Sequence, residues 1–105
     1  MFGRLVTIKL KMNSAGELAR INQTTIVPLL HAQKGSRNES LYIDPWGSEA
    51  IAKSSWDTKE NAEAYDLVCY PRILMALALV VDGKPTVETY EFVGSGFQQA
   101  MAKAS

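Results

Sequence analysis

The stretch Ser55-Trp56-Asp57-Thr58-Lys59-Glu60-Asn61 constrains the fold more than any other. It reads as a strand that ends on a large aromatic and runs without a loop into a helix. Asp57 is a suitable N-cap, and Glu60 follows at capping-box spacing. So short a junction fixes strand against helix and directs Trp56 into the space between them.

The flanking segments can be hung on this junction. Val6, Ile8, Leu10 and Met12 alternate with Thr7, Lys9 and Lys11, the period of a strand with one buried face. Ser14 and Glu17 then have the spacing of a helix start. The helix carries Leu18, Ile21, Thr25 and Leu29 on one stripe, flanked by Ile26 and Leu30. Pro28 falls inside it and removes a hydrogen bond to the Thr24 carbonyl, so a kink or break is expected near Ile26-Val27. Gly35 is a suitable stop.

From Arg37 to Asp44 the pattern alternates again, with Leu41 and Ile43 on one side and Asn38, Ser40 and Tyr42 on the other. Asp44-Pro45-Trp46-Gly47 is a turn signal. Glu49 to Trp56 returns as the hairpin partner, and its Ala50, Ala52 and Ser54 leave room beside the indole. A helix from about Thr58 to Val68 follows. Tyr70-Pro71 interrupts it, and Pro71 suits the first turn of another helix. That helix has Ile73, Leu74, Leu77, Ala78 and Val81 as its apolar stripe. Asp82-Gly83 stops it. Thr86 to Val93 is the last strand, and Gln98 to Lys103 suits a short helix or a frayed tail.

The order is strand, helix, strand, strand, broken helix, strand. That predicts an α+β, ferredoxin-like four-stranded antiparallel sheet with helices on one face. With 105 residues, a single domain over 1–105 is expected, its core spanning about 5–93 and its tail 94–105. The uncovered sheet face calls for a second copy of the chain. The formal net charge of zero fits self-association and supplies no field to attract nucleic acid or an anionic membrane. Cys69 is the only cysteine and His31 the only histidine. No intrachain disulfide or cysteine metal cluster follows, and a protein-only metal site is not expected. The longest apolar run, Ile73 to Val81, is too short to span a bilayer, and no leader pattern is evident, so a cytoplasmic location is the expectation.

Ile26-Val27-Pro28-Leu29-Leu30 followed by Lys34-Gly35, with Trp56-Asp57-Thr58-Lys59-Glu60-Asn61-Ala62-Glu63-Ala64-Tyr65, resembles the antibiotic biosynthesis monooxygenase-like proteins. These are dimeric α+β barrels, and the resemblance spans about residues 5–93. It implies a homodimer whose sheets face each other, and a pocket in each subunit between helices and sheet. Some members oxidise aromatic polyketides with molecular oxygen and no cofactor. Others degrade haem, but the axial histidine of that branch is missing from the helix Thr58 to Val68, and its first-strand asparagine is missing from Val6 to Met12.

The resemblance implies cofactor-free oxidation of a small aromatic molecule. Trp56 and Tyr65 would orient it, and His31 or a tyrosine hydroxyl would assist proton removal. Asn38, Tyr42 and Tyr70 are the other candidate contacts. Each also has a purely structural reading. Trp56, Tyr65 and Tyr70 suit a core, Asn38 and Tyr42 suit cross-strand packing, and His31 suits a helix C-terminus. A dimer of the same fold that binds a small molecule or a protein without reacting is the alternative function.

Overall fold

The computed structural model describes residues 1–91 and 93. Strand β1 (Phe2–Lys9) leads into helix α1 (Ala15–Ile21). A π-helical segment (Asn22–Ile26) and helix α2 (Val27–His31) continue it. The hairpin β2 (Ser36–Ile43) and β3 (Glu49–Trp56) follows, then α3 (Lys59–Val68), α4 (Tyr70–Leu77) and β4 (Thr86–Glu91). The sheet is antiparallel throughout, in the order β2-β3-β1-β4. This is the ferredoxin-like arrangement that the periodicities predict.

Register divides the residues cleanly between two faces. Phe2 pairs with Trp56, Arg4 with Ser54, Val6 with Ala52 and Ile8 with Ala50. These residues lie beneath the helices, because alternate side chains share a face. Val6, Ile8, Ala50 and Trp56 join Leu18, Ile21, Ala62, Tyr65, Ile73 and Leu77 in one buried cluster. Leu5, Thr7, Ile51, Lys53 and Tyr90 occupy the opposite face, which no helix of the described chain covers.

Pro28 breaks the first helix in a specific way. Val27 N–H donates to the Asn22 carbonyl five residues back, so the chain passes through a wide turn just before the proline. Pro28 then sits in the first turn of α2, where its missing N–H removes nothing. The hairpin turn also forms as its sequence suggests. Gly47 N–H donates to the Asp44 carbonyl at 3.0 Å, and the Asp44 carboxylate accepts from Ser48 N–H at 2.8 Å.

Three details depart from the sequence reading. The cap of α3 is Thr58 rather than Asp57: Thr58 Oγ1 accepts from Asn61 N–H at 3.1 Å. Asp57 is left free to make a two-pronged pair with Arg37, both contacts 2.6 Å. Strand β1 ends before Met12, which is 89% exposed, because Asn13 turns the chain at φ 60°. Helix α4 stops at Leu77; Val81 leaves it to bridge Leu10 and is buried there. The expected helix over Gln98 to Lys103 and the end of the last strand at Phe92 lie outside the described residues.

Candidate functional site

The site is built from the ends of β1, α3 and α4. Arg4 shares the phase of Val6 and Ile8, so β1 carries a guanidinium into the helix-covered face. Its side chain is only 2% exposed. Two tyrosines lie against it. The guanidinium carbon is 4.1 Å from the centre of the Tyr70 ring and 5.1 Å from that of Tyr65. Both distances suit attraction between a cation and an aromatic face. Tyr65 in turn packs on Trp56, with ring centres 4.8 Å apart.

Asp66, next to Tyr65 on α3, approaches Arg4 from the solvent side. Asp66 Oδ1 and Arg4 Nη2 are 2.6 Å apart, close enough for strong charge attraction. The approach is too oblique to be a well-formed hydrogen bond. Among the described residues, Arg4 Nε and Nη2 have no hydrogen-bond acceptor. Buried polar atoms are nearly always satisfied, so two unmet donors on one arginine need an explanation.

Between these residues lies a cavity of about 50 Å³. Val6, Ile8, Leu18, Ile26 and Ile73 form most of its apolar wall, and Arg4, Tyr65 and Tyr70 its polar end. Asn22 and Ile26 bring the π-helical segment to its side, and Glu39 and Lys53 of β2 and β3 also reach it. A second hollow, of about 420 Å³, lies at Gly3, Leu5, Asn38, Lys53, Ser55 and Tyr90, centred on the uncovered sheet face. Arg4 lines both.

The residues singled out from the sequence therefore divide. Tyr65 and Tyr70 line the inner cavity together. Trp56 does not line it: the indole is fully buried, donates from Nε1 to Ser54 Oγ at 3.1 Å, and backs Tyr65. Asn38 and Tyr42 were expected to point into the same pocket, but they lie on the uncovered face. Leu41 and Ile43, in the opposite phase, turn toward the helices, so Asn38 and Tyr42 turn away. Tyr42 sits there beside Lys53, whose ammonium is 5.4 Å from the ring centre.

His31 also stays outside the cavity. Its imidazole is largely exposed, and Nε2 lies 2.9 Å from Glu39 Oε1. Glu39 lines the cavity, so it connects His31 to that space. The pair becomes an ion pair when the imidazole is protonated.

Burial sets the electrostatics of the tyrosines. Desolvation pushes the Tyr65 hydroxyl well above the usual tyrosine range, and the Arg4 charge opposes this only in part. Tyr70 is raised for the same reason, again with Arg4 opposing. Both hydroxyls are therefore protonated near neutral pH and serve as donors. Burial likewise raises the Cys69 thiol, which makes it an inert core residue. Among the described residues, no group of three or more His, Cys, Asp or Glu side chains could hold a metal ion. No helix there is long and apolar enough to cross a membrane.

Arg4 is one residue that sequence reading missed. Its signal was present: a charged side chain in phase with the buried positions of β1. Glu39 was missed too. It shares its phase with Leu41, and only the fold shows that this phase borders the cavity.

No family model matches the chain, and no curated protein matches it. Solved structures do. A monooxygenase of Streptomyces coelicolor, crystallised with the ligand nanaomycin D, superposes with a TM-score of 0.76 at 12% identity, covering 89% of this chain and 88% of that one. A "putative antibiotic biosynthesis monooxygenase" from Nitrosomonas europaea gives 0.74 at 10% identity, covering 89% and 99%. A protein of unknown function from the same organism gives 0.74 at 18% identity, covering 89% of each chain. The fold of this chain is that of the antibiotic biosynthesis monooxygenase-like proteins.

Proposed function

We propose that the protein is a cofactor-independent monooxygenase acting on a small aromatic molecule held between helices and sheet, and that it works as a homodimer. One observation carries this reading: a largely apolar cavity, lined also by two tyrosines and a buried cation, within a fold shared with a monooxygenase crystallised with a ligand.

The chemistry asks little of the protein beyond binding and proton handling. A substrate with an acidic CH2 group loses a proton to give a carbanion. The carbanion transfers electrons to oxygen and is trapped by it. One oxygen atom becomes a carbonyl on that carbon, and the other leaves as water with the two hydrogens. All four electrons that reduce the oxygen molecule come from the substrate, so the step balances without a cofactor.

In this scheme Tyr65 and Tyr70 orient the substrate as hydrogen-bond donors. Tyr65, its hydroxyl raised by burial, stays protonated near neutral pH and supplies no phenolate, so proton acceptance falls to the His31–Glu39 pair beside the cavity. Trp56 holds Tyr65 in place from behind. At about 50 Å³ the cavity is smaller than the roughly 150 Å³ that an engineered cavity offers to benzene. A ring therefore enters only as side chains along the π-helical segment move aside.

The test is oxygen consumption by the purified chain with anthrone-type and hydroquinone-type substrates. Uptake of one O2 per substrate, lowered at least tenfold in Tyr65→Phe or His31→Ala, supports the assignment. Uptake unchanged in both variants overturns the residue roles. A ligand bound and returned unaltered means that the protein binds without reacting.

A further inference from the structure

We infer that the inner cavity selects ligands bearing an anionic oxygen, and that Arg4 is the residue that selects them. This rests on the cavity being a ligand site, but not on oxidation taking place there.

Arg4 has a buried charge, and its surroundings only partly answer it. Its side chain is 2% exposed, whereas that of Asp66, its one carboxylate partner among the described residues, is 42% exposed. The Asp66 contact at 2.6 Å is oblique, and Nε and Nη2 lack acceptors among the described residues. The two tyrosine faces attract the cation, and Tyr70 also interacts with Arg4 through its hydroxyl, but among the described residues neither tyrosine supplies an acceptor to Nε or Nη2. An arginine presents a planar fork of donors that matches a carboxylate, and it also serves a single phenolate or enolate oxygen. Apart from Asn22, the Ser40 and Ser54 pair, and the opposed charges of Glu39 and Lys53, the remaining cavity wall is apolar and suits the body of such a molecule.

Other buried arginines are satisfied by protein oxygens. Here the chain supplies a cation, two aromatic faces and an adjoining space, but among the described residues no acceptor for Nε. An ionised oxygen would complete that set. It would also gain from the tyrosine hydroxyls, which burial keeps protonated. Carboxylate and phenolate ligands share this chemistry, and the probes below separate them.

The experiment is titration of the full chain with three probes: benzoate, its neutral isostere benzamide, and p-nitrophenol, whose anion absorbs visible light and whose neutral form does not. The expected results are benzoate bound at least tenfold more tightly than benzamide, and nitrophenol bound as the anion with its apparent pKa lowered. Arg4→Met removes both effects, and Arg4→Lys restores part of them. Asp66→Asn, at a partly exposed position, takes away the competing carboxylate and strengthens anion binding several-fold. That variant keeps the test open if Arg4→Met does not fold. A lowered nitrophenol pKa without benzoate preference assigns the site to phenolates, and the reverse assigns it to carboxylates. Benzamide and neutral nitrophenol bound as well as the anions, with Asp66→Asn without effect, overturn the role of Arg4 and leave the cavity a neutral ligand site. If no probe binds at millimolar concentration, both the selection and the cavity reading fall.

Discussion

Trp56 stacks behind Tyr65, ring centres 4.8 Å apart and planes inclined by 35°, so the strand-end aromatic sets the position of a cavity-lining residue without reaching the cavity itself. Removing the indole therefore affects stability first. Trp56→Ala should destabilise the chain by about 3–5 kcal/mol, the usual range for emptying a buried aromatic site. Urea denaturation followed by circular dichroism measures this. A loss below about 1 kcal/mol would mean that Tyr65 and its neighbours collapse into the space.

The junction after Trp56 makes a second, smaller prediction. Thr58→Ala removes the oxygen that accepts from Asn61 N–H and should lower stability by about 1 kcal/mol. Gly35→Ala should do more harm. Gly35 has φ 81°, and a Cβ there would collide with the Asn61 side chain. Because Gly35 also accepts from Asp57 N–H at 2.8 Å, the two variants disturb one contact region. Their effects should not add, which a double-mutant cycle tests directly.

Acid should weaken both ends of the β2–β3 hairpin. Arg37 holds the Asp57 carboxyl below the usual aspartate range, and hydrogen bonds from Ser48 do the same for Asp44. A carboxyl depressed in the folded chain contributes stability above its unfolded value, near pH 4. That contribution is lost as pH falls through the lower folded value. Melting temperature should thus drop more steeply below about pH 4 in the wild type than in an Asp57→Asn, Asp44→Asn variant. Parallel curves for the two proteins would show that these pairs are too solvated to matter.

The uncovered sheet face bears on assembly. Leu5 and Ile51 are half-buried there, and Tyr42 and Tyr90 are 56% and 52% exposed. The expected mass in solution is that of two chains. Leu5→Glu with Ile51→Glu should give the mass of one chain, with the far-ultraviolet circular dichroism spectrum preserved. Analytical ultracentrifugation decides this, and a wild type that sediments as a single chain ends the homodimer proposal.

Much of the architecture was legible because its signals are local. Alternation marked β2 and β3, the turn residues at Asp44 to Gly47 marked the hairpin, and Pro28 marked the break before α2. The cap was misplaced by one residue because Asp57 and Thr58 are both good cap types. What chose between them was Arg37, twenty positions away, which pairs with Asp57. The site was harder to read. Alternation separates Asn38 and Tyr42 from Leu41 and Ile43, but it does not say which group meets the helices. Arg4 went unseen because a charged residue at a strand start is ordinarily solvated. Its phase with Val6 and Ile8 was the only local sign of burial.

The π-helical segment Asn22–Ile26 has one more residue in its turn than an α-helix would need. Rewinding those residues into an ordinary helix, with none removed, would rotate everything after them by about 100°. His31 would swing away from Glu39, and Leu30 would leave the core, although neither residue had been altered. The wide turn thus absorbs the surplus residue and keeps two sequence registers aligned: the helix facing the sheet before it, and the histidine facing the carboxylate after it. In this segment, the width of the turn matters as much as side-chain identity.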